Sequence, residues 1–336
     1  MEETAILEVR DLRTHVDSER GTVRAVDGVS FTVARGRTVG IVGESGCGKT
    51  MTALSVMGLL PKPQARIVGG EVRFDGRDLT TLSARELQEI RGRDMAMIFQ
   101  DPMTSLNPTL TVGTQIMETV RRHQGLSKAA ARRRAADLLG EVGISEPDRR
   151  LDDYPFQFSG GMRQRVMIAI AISCNPKLLV ADEPTTALDV TVQARILDLL
   201  HDLRDQHEMG LVLITHDMGV VADIADDTVV MYAGQIVEQA DVAELFARPE
   251  HPYTRALLGA MPSLQGDGGR SGRLAAIPGM PPSLVDPPTG CRFAARCAHA
   301  DRSDGCAHGA NELRELRPGH WVRTQHPASA LTGVSS

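Results

Sequence analysis

The segment Gly43-Glu-Ser-Gly-Cys-Gly-Lys-Thr50 follows the apolar run Thr38–Val42 directly and leads into a helix-forming stretch. It fits G-x-x-x-x-G-K-[ST], and a strand before with a helix after is the context that pattern requires. Glycines let successive backbone N–H groups turn inward and cradle phosphate oxygens, and the helix N-terminus adds its positive dipole end. Lys49 reaches the β- and γ-phosphates, and the Thr50 hydroxyl is a ligand for Mg²⁺. The segment predicts a nucleotide site formed by Gly43, Glu44, Ser45, Gly46, Cys47, Gly48, Lys49 and Thr50.

The surrounding pattern alternates strands and helices, which predicts an α/β fold with a mostly parallel sheet. Strands are expected at Ile6–Val9, Ser30–Val33, Thr38–Val42, Met95–Phe99, Lys177–Ala181, Leu211–Ile214 and Thr228–Tyr232. Several are continuous apolar runs, as strands covered on both faces should be. Between Phe99 and Lys177 helical signals dominate, with Ser127 placed to cap one helix and Gly143 to end it. This reads as a helical insertion from about Asp101 to Arg165. Residues 263–289 are rich in Gly and Pro, the composition of a linker or extended arm. The last 47 residues, 290–336, are too few for a large core of their own.

Two further segments carry chemistry. Lys177-Leu-Leu-Val-Ala-Asp-Glu-Pro184 is an apolar strand ending in adjacent carboxylates, which alternation along the strand directs differently. One of Asp182 and Glu183 suits a place around the ligands of the metal, and the other can orient a water in line with the γ-phosphate. Phe158-Ser-Gly-Gly-Met-Arg-Gln-Arg165 opens a helix whose apolar residues recur at Val166, Ile170 and Cys174. Small residues at its start, Ser159, Gly160 and Gly161, leave N–H groups bare for an anion.

The order of these elements resembles the ATP-binding subunits of ABC transporters, from about Leu7 to Met261. Gly43–Thr50 looks like Walker A, Gln100 like the Q-loop glutamine, and Ser159-Gly-Gly-Met-Arg-Gln like the LSGGQ signature. Asp182 and Glu183 match Walker B and the glutamate after it. Ala187-Leu-Asp189 matches the D-loop, and His216 in Ile214-Thr-His-Asp matches the switch histidine. Gln100-Asp-Pro-Met-Thr-Ser-Leu-Asn-Pro108, His251-Pro-Tyr-Thr254, Ile277-Pro-Gly-Met-Pro-Pro282 and Gly290-Cys-Arg-Phe-Ala-Ala-Arg-Cys297 resemble oligopeptide and dipeptide importer ATPases. One departure is Val16, beside His15, where the family usually stacks an aromatic on adenine.

The resemblance implies a P-loop (RecA-like) ABC domain over 1–262 that hydrolyses ATP to drive import of a peptide-like solute. Glu183 would polarise the attacking water, with His216 and Gln100 as further catalytic residues. Mg²⁺ would be held by Thr50, Gln100 and Asp182. Ser159, Gly160, Gly161 and Asp189 would meet the nucleotide of a second ATPase subunit, expected to be homologous but distinct. Further implied partners are two membrane permease subunits and an extracytoplasmic solute-binding protein. The same motifs serve importers of nonpeptide solutes such as nickel or glutathione.

Composition supports this reading. Charged residues make up 24% and hydrophobic ones 42%, a globular mix. No apolar run reaches the roughly 18–20 residues of a membrane-spanning helix. The acidic start lacks the order of a signal peptide, so the protein is expected in the cytosol; the resemblance further implies a peripheral place on the cytoplasmic face of a bacterial membrane. A net charge of −6, with 3% aromatics, argues against nucleic acid as a partner. A soluble ABC ATPase acting on DNA or the ribosome would tend to carry heptads, tandem cassettes or basic arms, none of which is present.

The tail leaves two readings open. Cys291, Cys297 and Cys306 supply three of the four thiolates a [4Fe–4S] cluster usually takes. Relatives commonly place a fourth cysteine where this chain has Thr324, so His320, His326, a nearby carboxylate or an outside thiolate would complete the set. Otherwise they are three reduced thiols in a loop-rich segment.

Overall fold

A computed structural model of the chain describes residues 5–186, 188–261, 277–300, 306 and 311–325. In chain order the elements are β1 (Ala5–Ser18), β2 (Gly21–Ala34), β3 (Thr38–Val42), α1 (Lys49–Val56), β4 (Ala65–Phe74) and β5 (Arg77–Asp78). Next come α2 (Ala84–Ile90), β6 (Met95–Ile98), α3 (Pro102–Ser105), α4 (Val112–Gln124), α5 (Lys128–Glu141), α6 (Pro147–Arg150) and α7 (Gly160–Ile172). Then follow β7 (Leu178–Asp182), α8 (Val190–His207), β8 (Gly210–Thr215), α9 (Met218–Ile224), β9 (Asp227–Tyr232) and β10 (Gln235–Asp241). The last are α10 (Val242–Ala247), α11 (Pro252–Gly259), β11 (Arg314–Arg317) and β12 (His320–Val322). The fold is α/β. No described helix is long and apolar enough to cross a membrane.

The elements group into two compact units, one built mainly on Arg73–Ile214 and the other on Val9–Phe31, Val39–Val72 and the chain from Thr215 onward. In the first, β6, β7 and β8 run parallel, with Met95 opposite Leu178 and Leu178 opposite Gly210. Every residue of β7 and β8 is buried, which accounts for their unbroken apolar sequence. Between β6 and β7 the chain is helical. Val112, Ile116 and Val120 of α4 recur every fourth residue and are all buried, as are Ala131, Ala135 and Leu139 of α5. Ser127 caps α5 by accepting from the Ala130 N–H at 3.3 Å, and Gly143, at φ 75°, follows its end.

In the second unit β3 pairs in parallel with β9, and β9, β10, β12 and β11 continue antiparallel. The sequence reading names no strand at β4, β10, β11 or β12. Of the Gly/Pro-rich stretch, residues 277–289 carry no helix or strand, and 263–276 lie outside the described residues. Phe293 inserts into a core with Val42, Val230, Tyr232, Leu245 and Tyr253. Beside it, Tyr232 and Phe293 meet edge to face at 5.3 Å. The tail therefore shares the core of this unit.

A buried charge cluster fastens β12. Glu238 on β10 is fully buried, and its carboxylate accepts from the N–H groups of Glu250 at 2.7 Å and His251 at 2.9 Å. His320 Nε2 lies 2.8 Å from the same carboxylate, and Arg317 bridges Glu244 and Glu250. Burial depresses the His320 pKa, but the hydrogen bond and charge of Glu238, with help from Glu244, outweigh it and the opposing Arg317, leaving it raised. A folded pKa above the unfolded value, about 6.5, means this stabilisation is complete below that pH and is lost as pH rises through the raised value. Hydrogen exchange of the β12 amides, corrected for intrinsic rate, should therefore be slower at about pH 6 than at about pH 8.5. The difference should vanish in His320→Gln, and an unchanged pH profile in that variant would contradict the assignment.

Candidate functional site

The phosphate loop is shaped by backbone that only glycine tolerates. Gly43 has φ 152°, and a Cβ there would lie 2.2 Å from the Met231 carbonyl oxygen. Gly48 has φ 108°, and its Cβ would lie 2.3 Å from the Ala25 oxygen. The chain thus passes tightly against its own sheet before entering α1, whose N-cap, Gly48, has no side chain to occupy the first turn. Lys49 is 4% exposed, and its ammonium donates to the carbonyls of Gly43 at 2.7 Å and Glu44 at 3.1 Å. Ser45, Gly46 and Thr50 are exposed, whereas Cys47 is buried and its carbonyl accepts from the Gly234 N–H at 2.8 Å. A loop in which a Cβ would overlap neighbouring backbone, closed around a buried cation, fits phosphate chemistry.

The other unit carries the paired carboxylates. Asp182, the last residue of β7, is 2% exposed and lies opposite Ile214 of β8. Glu183 turns out of the strand at φ 46°, a conformation that strains a non-glycine residue by about 1–2 kcal/mol. Its N–H donates to the Ile214 carbonyl at 2.9 Å. Its carboxylate accepts from Gln100 Nε2 at 3.1 Å and Thr186 Oγ1 at 2.8 Å. The structure therefore brings Gln100 to Glu183.

Ser159 caps α7 by accepting from the Met162 N–H at 3.4 Å, so the ordinary helix-cap role and the exposed small-residue turn coexist. Ser159, Gly160 and Gly161 share an open cleft of about 400 Å³ with Asp189, Arg165 and Arg195. Asp189 caps α8 through the Val192 N–H at 2.9 Å, and Ala187 lies outside the described residues. His216 is exposed just beyond β8, ahead of Asp217, which caps α9. His15 and Val16 are half-buried on β1.

Comparison with known proteins gives these pieces a common frame. The family described as "ABC transporter" matches residues 26–186, and "Oligopeptide/dipeptide transporter, C-terminal region" matches residues 237–306. The dipeptide transport ATP-binding protein DppD of Escherichia coli (strain K12) is 50% identical over 323 residues, covering 96% of this chain and 97% of that protein. The chain belongs to the ATP-binding proteins of oligopeptide and dipeptide ABC transporters. The oligopeptide transport ATP-binding protein OppD of Bacillus subtilis (strain 168) is 52% identical over 301 residues, covering 90% of this chain and 84% of that one. Among solved structures, the post-hydrolysis dimer of the ATP-binding cassette MJ0796, bound to ADP and Pi, is similar with a TM-score of 0.63 at 26% identity. It covers 70% of this chain and 98% of that one.

For this ABC ATP-binding protein, the iron–sulfur expectation is not borne out. Cys291, Cys297 and Cys306 do line one cavity with Thr324, His251 and Phe293, but its free volume is about 10 Å³, room for about one water. Burial pushes the Cys291 and Cys297 thiols up, which favours protonated sulfur where iron needs thiolate. His320 is committed to Glu238, and His326 lies outside the described residues. Among the described residues no group of three or more His, Cys, Asp or Glu is arranged to hold a metal ion.

Sequence reasoning also passed over the residues that brace the ABC phosphate loop from the C-terminal side. Tyr253 Oη accepts from the Glu44 N–H at 2.9 Å, and Arg296 holds the Glu44 carboxylate with two hydrogen bonds of 2.6 and 2.9 Å. The available signal was two arginines flanking Phe293 in a segment otherwise valued for its cysteines.

Proposed function

We propose that this chain is the ATP-hydrolysing subunit that energises uptake of dipeptides and oligopeptides through an ABC importer. The observation that carries this reading is the glycine loop of residues 43–50 closed around the buried Lys49 ammonium, in a chain alike over nearly its whole length to peptide-transport ATP-binding proteins. Lys49 neutralises phosphate charge, and the loop N–H groups orient the terminal phosphates. Thr50, Gln100 and Asp182 are the residues that would hold Mg²⁺, which when bound supplies further neutralisation of the phosphates. Glu183, presented on its strained turn and fixed by Gln100 and Thr186, orients the attacking water and accepts its proton. His216 is proposed to act on the terminal phosphate. Ser159, Gly160, Gly161 and Asp189 serve the nucleotide of a second, homologous ATPase subunit. Two permease subunits, fed by an extracytoplasmic solute-binding protein, convert the cycle into transport at the cytoplasmic face of the membrane.

The test is uptake by the reconstituted complex. Lys49→Ala should weaken ATP binding about 10²-fold or more, because it removes a buried cation from a site for a multiply charged anion, and peptide uptake should fall with it. Uptake of labelled peptide that continues at the wild-type rate in this variant would refute the reading. A complex that hydrolyses ATP in response to a nonpeptide solute only would replace the peptide with that solute.

A further inference from the structure

We propose that Arg296 is a positioning residue for the phosphate loop, and that through it the C-terminal segment sets the ATP affinity of this subunit. The inference rests on the nucleotide reading above and adds a residue far outside the ABC motifs. Glu44 is the one acidic residue in the loop of residues 43–50, and an unpaired carboxylate there would repel the phosphates it is meant to help surround. Arg296 removes that charge. Its Nη1 and Nη2 meet the two carboxylate oxygens of Glu44 in a fork, at 2.6 and 2.9 Å.

The guanidinium is itself built in. Its side chain is 4% exposed, against 28% for Glu44. Nε donates to the Pro278 carbonyl at 2.9 Å, Nη2 also to Ile277 at 3.2 Å, and Nη1 also to Tyr232 Oη at 3.3 Å. All five N–H groups of the arginine are therefore used, a pattern lysine cannot reproduce. The rings of Tyr232 and Phe293 lie 5.8 and 5.9 Å from its central carbon.

A second arginine of the same segment acts in parallel. Arg292 donates to the Ala233 carbonyl and to Asp27, and the neighbouring Gly234 N–H holds the Cys47 carbonyl at 2.8 Å. Glu44 is thus held directly from the tail, and Cys47 by the Ala233–Gly234 turn that Arg292 anchors. Glu44 is clamped at its carboxylate by Arg296 and at its N–H by Tyr253, while its carbonyl receives Lys49. Releasing the carboxylate would both add a repelling charge and loosen the residue whose carbonyl places the lysine.

The experiment is a mutant cycle on the full-length chain, with ATP binding followed by titration calorimetry and KM and kcat measured in the reconstituted complex. Arg296→Met should raise the ATP dissociation constant and KM by roughly ten- to hundredfold, as expected for a partly exposed charge facing a polyanion at short range, with kcat within about threefold. The same substitution made in a Glu44→Gln background should change KM less than about threefold, because there is then no carboxylate to neutralise. Should Arg296→Met not fold, Arg296→Gln, which keeps a polar group near the Pro278 carbonyl, should give the same KM rise. An Arg296 variant with wild-type KM overturns the proposal, as does an effect of equal size in the Glu44→Gln background, which would make Arg296 a packing residue only. Absence of ATP binding in the wild-type chain would instead refute the nucleotide reading.

Discussion

Glu183→Gln should lower ATP turnover by about 10²–10⁴-fold while leaving nucleotide affinity within a few-fold of wild type. The substitution keeps side-chain length and shape, so the strained turn at φ 46° and the bond from its N–H to Ile214 have no reason to change. What changes is the capacity to accept. The carboxylate takes hydrogen bonds from Gln100 and Thr186 and still has lone pairs for a water; an amide has one accepting oxygen and cannot take a proton at neutral pH. Single-turnover hydrolysis of labelled ATP by the reconstituted complex separates binding from chemistry. Turnover within about tenfold of wild type would remove Glu183 from the role of base.

Gly48→Ala should abolish useful ATP binding for a reason independent of charge. The new methyl would meet the Ala25 carbonyl oxygen at 2.3 Å, and the backbone would have to keep φ 108° with a Cβ attached. Strain and overlap together come to about 3 kcal/mol, which is about two orders of magnitude in affinity if the loop relaxes away from its binding shape. Gly46→Ala is the matched control. Gly46 also has positive φ, at 78°, but nothing lies within 4 Å of its Cβ position. It should lose only the conformational part, about 1–2 kcal/mol or roughly five- to thirtyfold. Equal losses at the two positions, measured by ATP titration, would show that overlap with Ala25 is not what matters.

The parts of the site that were legible in the sequence are those in which a local pattern carries the chemistry. The Gly43–Thr50 loop, the Asp182–Glu183 pair and the Ser159 turn each lie within about ten residues of the strand or helix that presents them, so spacing alone locates them. β10 escaped notice because Glu238 interrupts the apolar run expected of a covered strand. Its charge is answered by His320, 82 positions later, which no window along the chain can see. Arg296 and Glu44 are 252 positions apart, and in sequence each is an ordinary surface-type residue. The cysteines left two readings open. Their spacing invites a metal, whereas the folded segment uses them to fill space beside Phe293.

The pairing of β12 onto β10 has a consequence for any attempt to work with the ATPase portion alone. A chain stopped at residue 262, where the ABC motifs end, would bare the β10 edge with its unpaired N–H and C=O groups and leave Glu238 buried without its histidine. The gap left by Phe293 would open beside Tyr232 and Tyr253. Such a fragment offers a sticky strand and a hydrophobic hole together, the conditions for self-association into insoluble β-rich material.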